Sequence, residues 1–285
     1  MPKMVLTKIR HGMNSFTPSE KKIANYILKN PNEAMKLSVA EMARKSNTSE
    51  ASVVRFCKTL GLEGYQDLKI GISLSTVDNS KNKKIIHEII NVDDSPSTIM
   101  EKMALGSIQA IEETRQILNP KSLEKAIEAI DSAERIYFFG AGASSIVALD
   151  AQYKFTRINI PSFMYFDNHI EITSAVHLTE KDVAVGISHS GRTKDTIHIL
   201  EIAKKRNATT IAITQYGKNP IEEVSDIVLH TASVENNFRS GAMASRIAQL
   251  YVIDNLFIGV ACKRYDDVNR YLEITRKALE FEKYR

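Results

Sequence analysis

The chain has 285 residues, 43% hydrophobic and 25% charged, a balance that fits a folded globular protein of one or two domains and excludes a disordered or fibrous one. Two cysteines, Cys57 and Cys262, exclude a disulfide framework and a four-cysteine zinc site, and no apolar run approaches the roughly 18 residues of a membrane helix. The net charge of +4 is unevenly divided: residues 1–77 hold 12 Lys/Arg against 6 Asp/Glu and the remainder 26 against 28, so a basic head precedes a near-neutral body and points to a polyanion partner, or simply to a well-solvated head.

The head reads as helix throughout. In TPSEKKIANYILKNP, Thr17 is an N-cap, Pro18 takes the first helical position and Glu20 completes a capping box. Ile23, Tyr26 and Ile27 share one side, and Pro31 ends the run. Residues 38–61, SVAEMARKSNTSEASVVRFCKTLG, repeat the pattern. Ser38 and Glu41 form a second capping box, with Val39, Met42 and Ala43 on the apolar face of a short helix. The break over Ser46–Thr48 has the length of the turn in a helix-turn-helix. Ser49 then caps a helix in which Val53, Phe56, Cys57 and Leu60 recur at i, i+3, i+4 and i+7 and pack inward, until Gly61 stops it. Its outer side is expected to present Ser49, Glu50, Ala51, Ser52, Arg55 and Thr59, with Lys58 at the edge. Small residues let a helix approach a groove, Arg reads guanine or clamps phosphate, and serine contacts either. Lys21, Lys22, Lys36, Arg44, Lys45 and Lys69 are placed to track a phosphate backbone. A helical bundle used for dimerisation carries the same two-helix pattern; the local positive charge favours DNA.

Residues 73–98, rich in Ser, Asn, Asp and Lys, read as a linker, and the expected division is a head at 1–77, a linker at 78–104 and a body at 105–285. The body opens with helices over residues 97–118 and 121–130. Short apolar runs then alternate with helical periods: strands at 135–140, 162–166, 182–188, 209–214 and 226–230, and helices at 144–156, 193–205 and 240–262. Continuous apolar strands alternating with helices predict an α/β doubly wound parallel sheet, here five strands in the flavodoxin-like order 2-1-3-4-5, with ligands bound at the carboxyl ends of the strands.

Two strand-to-helix loops carry chemistry. GAGASS (140–145) follows the first strand and SHSGRTKDT (188–196) the third. Free N–H groups and the helix dipole attract anions at such places. Ser188, Ser190 and Thr193 add three hydroxyls and Gly191 a tight turn, which is the set a phosphomonoester needs; Ser144 and Ser145 close the cradle or reach sugar hydroxyls. GAGASS also matches half of a dinucleotide fingerprint, but Ser145 replaces its third small residue and Asp167 lies far along for a ribose partner. No GxxxxGK[ST] occurs and the histidines lack metal spacing, so neither a metal nor a cofactor is expected. Glu235, Asn236, Asn237, Arg239 and Ser240 form a polar cluster before the last long helix, placed to contact a sugar.

Taken with these motifs, RFCKTLGLEGYQDLK (55–69), SHSGRT (188–193) and FRSGAMASRIAQLYVIDNLF (238–257) resemble the bacterial RpiR-type transcriptional regulators, in which a helix-turn-helix precedes a SIS (sugar isomerase) domain. The likeness covers residues 3–75 and 105–265. It implies a homodimer or homotetramer that binds operator DNA and senses a phosphorylated sugar, and the two cysteines fit a cytoplasmic protein, where thiols stay reduced. It also implies that Ser188, Ser190 and Thr193, with Ser144, hold the phosphate. Glu235 matches the base of the SIS isomerases, but their partner histidine and lysine have no recognisable counterpart, so no catalytic residue is expected. The expected ligand set is then Ser144, Ser145, Ser188, Ser190, Gly191, Thr193, Glu235 and Arg239.

Overall fold

The computed structural model describes residues 5–13, 15–79, 93–232 and 242–280. They form two compact units, the first running to Ile117 and including Tyr216–Lys218, the second Leu118–Gln215 and Asn219 onward.

The first unit is helical: α1 (Val5–Gly12), α2 (Pro18–Lys29), α3 (Pro31–Ala34), α4 (Val39–Lys45), α5 (Glu50–Thr59), α6 (Tyr65–Asn79) and α7 (Pro96–Ile117). Local chemistry sets its helix ends. Both capping boxes form: the Thr17 and Ser38 hydroxyls accept the N–H groups of Glu20 and Glu41, whose carboxylates accept the cap N–H groups in return. The turn between α4 and α5 is closed by Asn47 at φ +51°, with the Thr48 N–H donating to the Ala43 carbonyl at 2.9 Å. Gly61, at φ +74°, ends α5 in the same way, and the Leu62 N–H reaches the Cys57 carbonyl at 2.9 Å. Ile23, Ile27, Met42, Val53, Phe56 and Leu60 are fully buried, and Phe16 meets Phe56 edge-on at 5.2 Å. Each such side chain contributes about 1.5–3 kcal/mol by leaving water.

Helix α7 starts inside the stretch expected as linker and ends with the first unit, so residues 105–117 lie with the head rather than the body. Ala110, Glu113, Thr114 and Ile117 form its buried side. Arg10 and His11 of α1 both bind the Glu113 carboxylate, which also accepts from Gln109 at 2.9 Å. The Thr7 hydroxyl donates to Gln116 at 3.1 Å. Residues 80–92 of the expected linker lie outside the described residues.

The second unit follows as α8 (Pro120–Ser132), β1 (Arg135–Gly140), α9 (Ala143–Arg157), β2 (Ser162–Phe163), α10 (Asn168–Ala175), β3 (Asp182–Ile187), α11 (Lys194–Lys205), β4 (Thr209–Gln215), a 3-10 turn at Pro220–Val224, β5 (Ile227–Thr231), α12 (Met243–Lys263) and α13 (Tyr265–Ala278). The five strands are parallel in the order β2-β1-β3-β4-β5, as the apolar runs predict. In register, Phe138 stands beside Val185, Val185 beside Ile211 and Ile213 beside Leu229. The central strands are buried on both faces. On one face Phe138, Val185, Ile211 and Ile213 pack with residues of α8, α9 and α12, among them Ile130, Phe155 and Leu256. On the other, Phe139, Ala184 and Ala212 pack with Ala175 of α10 and Ile199 and Leu200 of α11. Strand order reverses direction between β1 and β3, so the loops after these strands diverge and open a crevice at their carboxyl ends.

Candidate anion cradle and DNA interface

The loop after β3 is built around a buried hydroxyl. Ser188 is 2% exposed, its N–H donates to the Ile213 carbonyl at 3.0 Å, and its Oγ lies 2.9 Å from Thr193 Oγ1. Gly191 folds back so that its N–H donates to the Ser188 carbonyl and its own carbonyl accepts from Ile221 N–H, both at 3.1 Å. It does so at φ +63°, and a Cβ there would stand 2.1 Å from Asn219 Oδ1, so no other residue fits. Ser190 is exposed at the tip and its Oγ accepts from the Arg192 N–H at 3.3 Å.

The two crevice helices, like α3, α12 and α13, start without a side-chain cap. Helices α2, α4, α5, α8 and α10 are capped by the side chains of Thr17, Ser38, Ser49, Asn119 and Asp167. Thr193 occupies the N-cap of α11, yet its hydroxyl turns to Ser188 and makes no bond to the helix. Gly142, at φ +58°, starts α9 with no side chain at all. Helix N-termini without side-chain caps therefore follow both β1 and β3, and the first N–H groups of such helices are free to take an anion. In the first loop the Ser145 hydroxyl donates to the Gly142 carbonyl at 2.6 Å and is spent on the turn itself. Ser144 faces Gln249, a residue 1% exposed on α12, with the amide nitrogen 3.3 Å from its Oγ. Gln249 shares α12 with a second amide, Asn255, so the sequence alone does not mark it out. The expected contacts from Glu235 and Arg239 lie outside the described residues.

Glu171 of α10 feels the charge of Asp195 in the first turn of α11. It is 8% exposed and its Oε1 has no hydrogen-bond partner. Burial, then the charges of Asp195 and of Asp167 at the start of α10, push its carboxyl up to about 7. Among the described residues no group of three His, Cys, Asp or Glu side chains is arranged to hold a metal ion, and no helix is long and apolar enough to cross a membrane.

On the head, the outward side of α5 presents Glu50, Ala51, Arg55, Lys58 and Thr59, with Ser49 exposed at its N-cap. Ser52 is a correction: it is 7% exposed, four residues before Phe56 at the edge of the buried stripe, and its Oγ lies 2.9 Å from Ser49 Oγ. Val54 is 44% exposed on the outer side. Thr59 is tied back to Glu20 of α2 at 2.6 Å, and Lys58 donates to the Glu63 carbonyl at 2.6 Å. Lys21, Lys22, Lys36, Arg44 and Lys45 are exposed and Lys69 half-buried; Lys45 is paired with Glu33 at 3.1 Å.

The fold is a helix-turn-helix head and a doubly wound domain with two uncapped helix starts at its switch point. A family model described as the helix-turn-helix domain of the rpiR family matches residues 3–78, and one for the SIS domain matches residues 129–259. An uncharacterized HTH-type transcriptional regulator of Caldanaerobacter subterraneus is 50% identical over 98% of both chains. The uncharacterized HTH-type transcriptional regulator YbbH of Bacillus subtilis is 36% identical over 96% of both. The Vibrio vulnificus NanR protein, solved in complex with ManNAc-6P, is 28% identical with a TM-score of 0.62, covering 99% of this chain and 100% of that one. The chain belongs to the rpiR family of helix-turn-helix transcriptional regulators, with a SIS domain as its carboxyl-terminal part.

Proposed function

We propose that this regulator binds operator DNA through α5 and that a phosphorylated sugar held in the SIS domain controls that binding. The observation that carries the ligand half is the hydroxyl of Thr193, which pairs with Ser188 instead of capping α11 and so leaves the helix N-terminus open beside Ser190. Phosphate oxygens take the N–H groups of that helix end and the hydroxyls of Ser188, Ser190 and Thr193. Ser144, braced by Gln249, approaches from the β1 loop, and Glu235 and Arg239 take sugar hydroxyls. Ser145 and Gly191 act through the loop conformations they hold.

On the DNA side, Ser49, Glu50, Ala51, Arg55 and Lys58 form the reading surface, joined by Val54, whose methyls suit contact with thymine. Two heads in a homodimer, or pairs of heads in a tetramer, address a pseudo-palindromic operator with half-sites a whole number of helical turns apart. The relatives' regulator names support a SIS domain that senses rather than turns over its ligand, in the cytoplasm where the operator is.

The test is a thermal-shift series with phosphorylated sugars, their unphosphorylated parents and inorganic phosphate. ManNAc-6P is the first compound to try because the Vibrio protein was solved with it. A phosphorylated sugar that raises the melting temperature of the wild type but not of Ser190→Ala supports the reading, since stabilisation follows from binding to the folded state. Equal shifts in both proteins contradict it. A turnover assay on the same compounds, expected to show none, checks the non-catalytic role.

A further inference from the structure

A cavity of about 640 Å³ lies among α9, α12 and α13, on helix faces away from the strand-end loops that form the cradle. Its volume falls in the range of small-molecule sites. Tyr153, Phe257 and Leu272 supply apolar and aromatic wall. The charged wall is unbalanced once its internal pairs are removed. Lys154 is held by Asp150 at 2.5 Å and by Asp254 at 2.6 Å, and Glu273 by Lys277 at 2.8 Å. Arg157 and Arg276 also line the cavity and belong to none of these pairs, although the charge of Arg276 helps Lys277 hold the Glu273 carboxyl below its usual range. Arg157 Nε is shut off from water with no hydrogen-bond acceptor, while its guanidinium lies 5.9 Å from the Tyr153 ring centroid. Arg157, half-buried, and Arg276, exposed, offer the cavity guanidinium forks of the kind that bind an oxyanion.

We propose that this cavity is a second ligand site, separate from the sugar-phosphate cradle, for a small organic anion: a carboxylate or phosphate ester, held by Arg157 and Arg276, on an aromatic or apolar body seated between Tyr153, Phe257 and Leu272. Carboxylate and phosphate ester share the fork-shaped acceptor that a guanidinium binds with two parallel bonds. The apolar wall excludes bare ions and strongly hydrated sugars as good ligands. Helix α9 runs from the cradle loop, where it carries Ser144 and Ser145, to Arg157 in its last turn, about 20 Å further on. One rigid element thus joins the two sites.

The experiment titrates the full-length protein with benzoate, phenyl phosphate, acetate and inorganic phosphate, read by calorimetry and melting temperature. Benzoate or phenyl phosphate is expected to bind saturably at one site per chain, and acetate and inorganic phosphate at least tenfold more weakly. Which of the two ring-bearing probes binds more tightly identifies the headgroup. Binding is expected to persist in Ser190→Ala, which separates this site from the cradle. It is expected to weaken at least tenfold in the double variant Arg157→Ala, Arg276→Ala. Wild-type crystals soaked with the tighter probe should show it beside Tyr153 and Phe257, a check that does not depend on the variant folding. Absence of binding to the wild type, binding unchanged in the double variant, loss of binding in Ser190→Ala, or density elsewhere each overturns the proposal. So does a double variant that sediments as a smaller species than the wild type, because the cavity would then be a contact between copies of the chain.

Discussion

Gly191 leaves the cradle almost no latitude. Its left-handed backbone costs an L-residue about 1–3 kcal/mol, and a methyl there collides with Asn219 and Thr214 as well. Gly191→Ala is expected to lose at least ~2 kcal/mol of stability and the sugar-phosphate response together, measured by urea unfolding and ligand titration. Glu171 makes a prediction of opposite sign. Its folded-state carboxyl, at about 7, lies above the ordinary value of about 4.3, so its ionisation disfavours the fold and stability falls as pH rises between these values. Glu171→Gln should melt about 2–4 °C above the wild type at pH 8, and the two should converge below pH 4.5 in a pH series of thermal melts. At Arg55 the readout is DNA. Arg55→Ala should weaken specific binding by about 1–3 kcal/mol, in fluorescence anisotropy, with an unchanged melting temperature; equal affinity of both proteins for operator and random DNA would remove α5 from the interface.

At the scale of elements, helix α1 is locked to α7 through Glu113. Burial pushes this carboxyl up, but the hydrogen bond and charge of His11 and the charge of Arg10 outweigh it and hold the carboxyl at about 2. The contribution is present above the unfolded carboxyl value of about 4.3 and is lost as pH falls toward 2. Glu113→Gln is expected to cost about 2 kcal/mol at pH 7, by stranding Arg10 and His11, and to flatten the acid limb of the stability curve. None of this was legible in the sequence, because residues 10 and 113 are joined only by the fold. The central strands were legible: β1, β3 and β4 are covered on both faces and so read as unbroken apolar runs. The edge strand β2 is only Ser162–Phe163, shorter than the run 162–166, because it pairs with β1 alone. Helices α10 and α13 went unread; α10 buries little beyond Glu171 and Ala175, whereas α13 does carry an i, i+4 apolar pair, Val268 and Leu272, on a mostly polar segment. The cradle hydroxyls were visible as a cluster of types, whereas the turning of Thr193 away from its own helix is a fact of geometry. Ser52 and Val54 exchanged places for a related reason: sequence marks the centre of a helical stripe well and its edges poorly.

For the whole molecule, a basic head on a near-neutral body separates the two kinds of recognition. DNA binding should fall steeply with salt, by about 0.9 in log affinity per log salt for each phosphate neutralised, and exposed Lys21 and Lys22 should each account for about one unit of that slope. Sugar-phosphate binding through hydroxyls and main-chain N–H groups should depend on salt far less. Coupling between the two is a free energy of about 1–3 kcal/mol, equivalent to roughly 5–150-fold in affinity. The most direct test is therefore the affinity of the protein for its own promoter DNA, with and without the phosphorylated sugar that stabilises it, for the wild type and Ser190→Ala. A change of at least about fivefold is expected in the wild type and none in the variant. An operator affinity that stays constant while the cradle fills would contradict it.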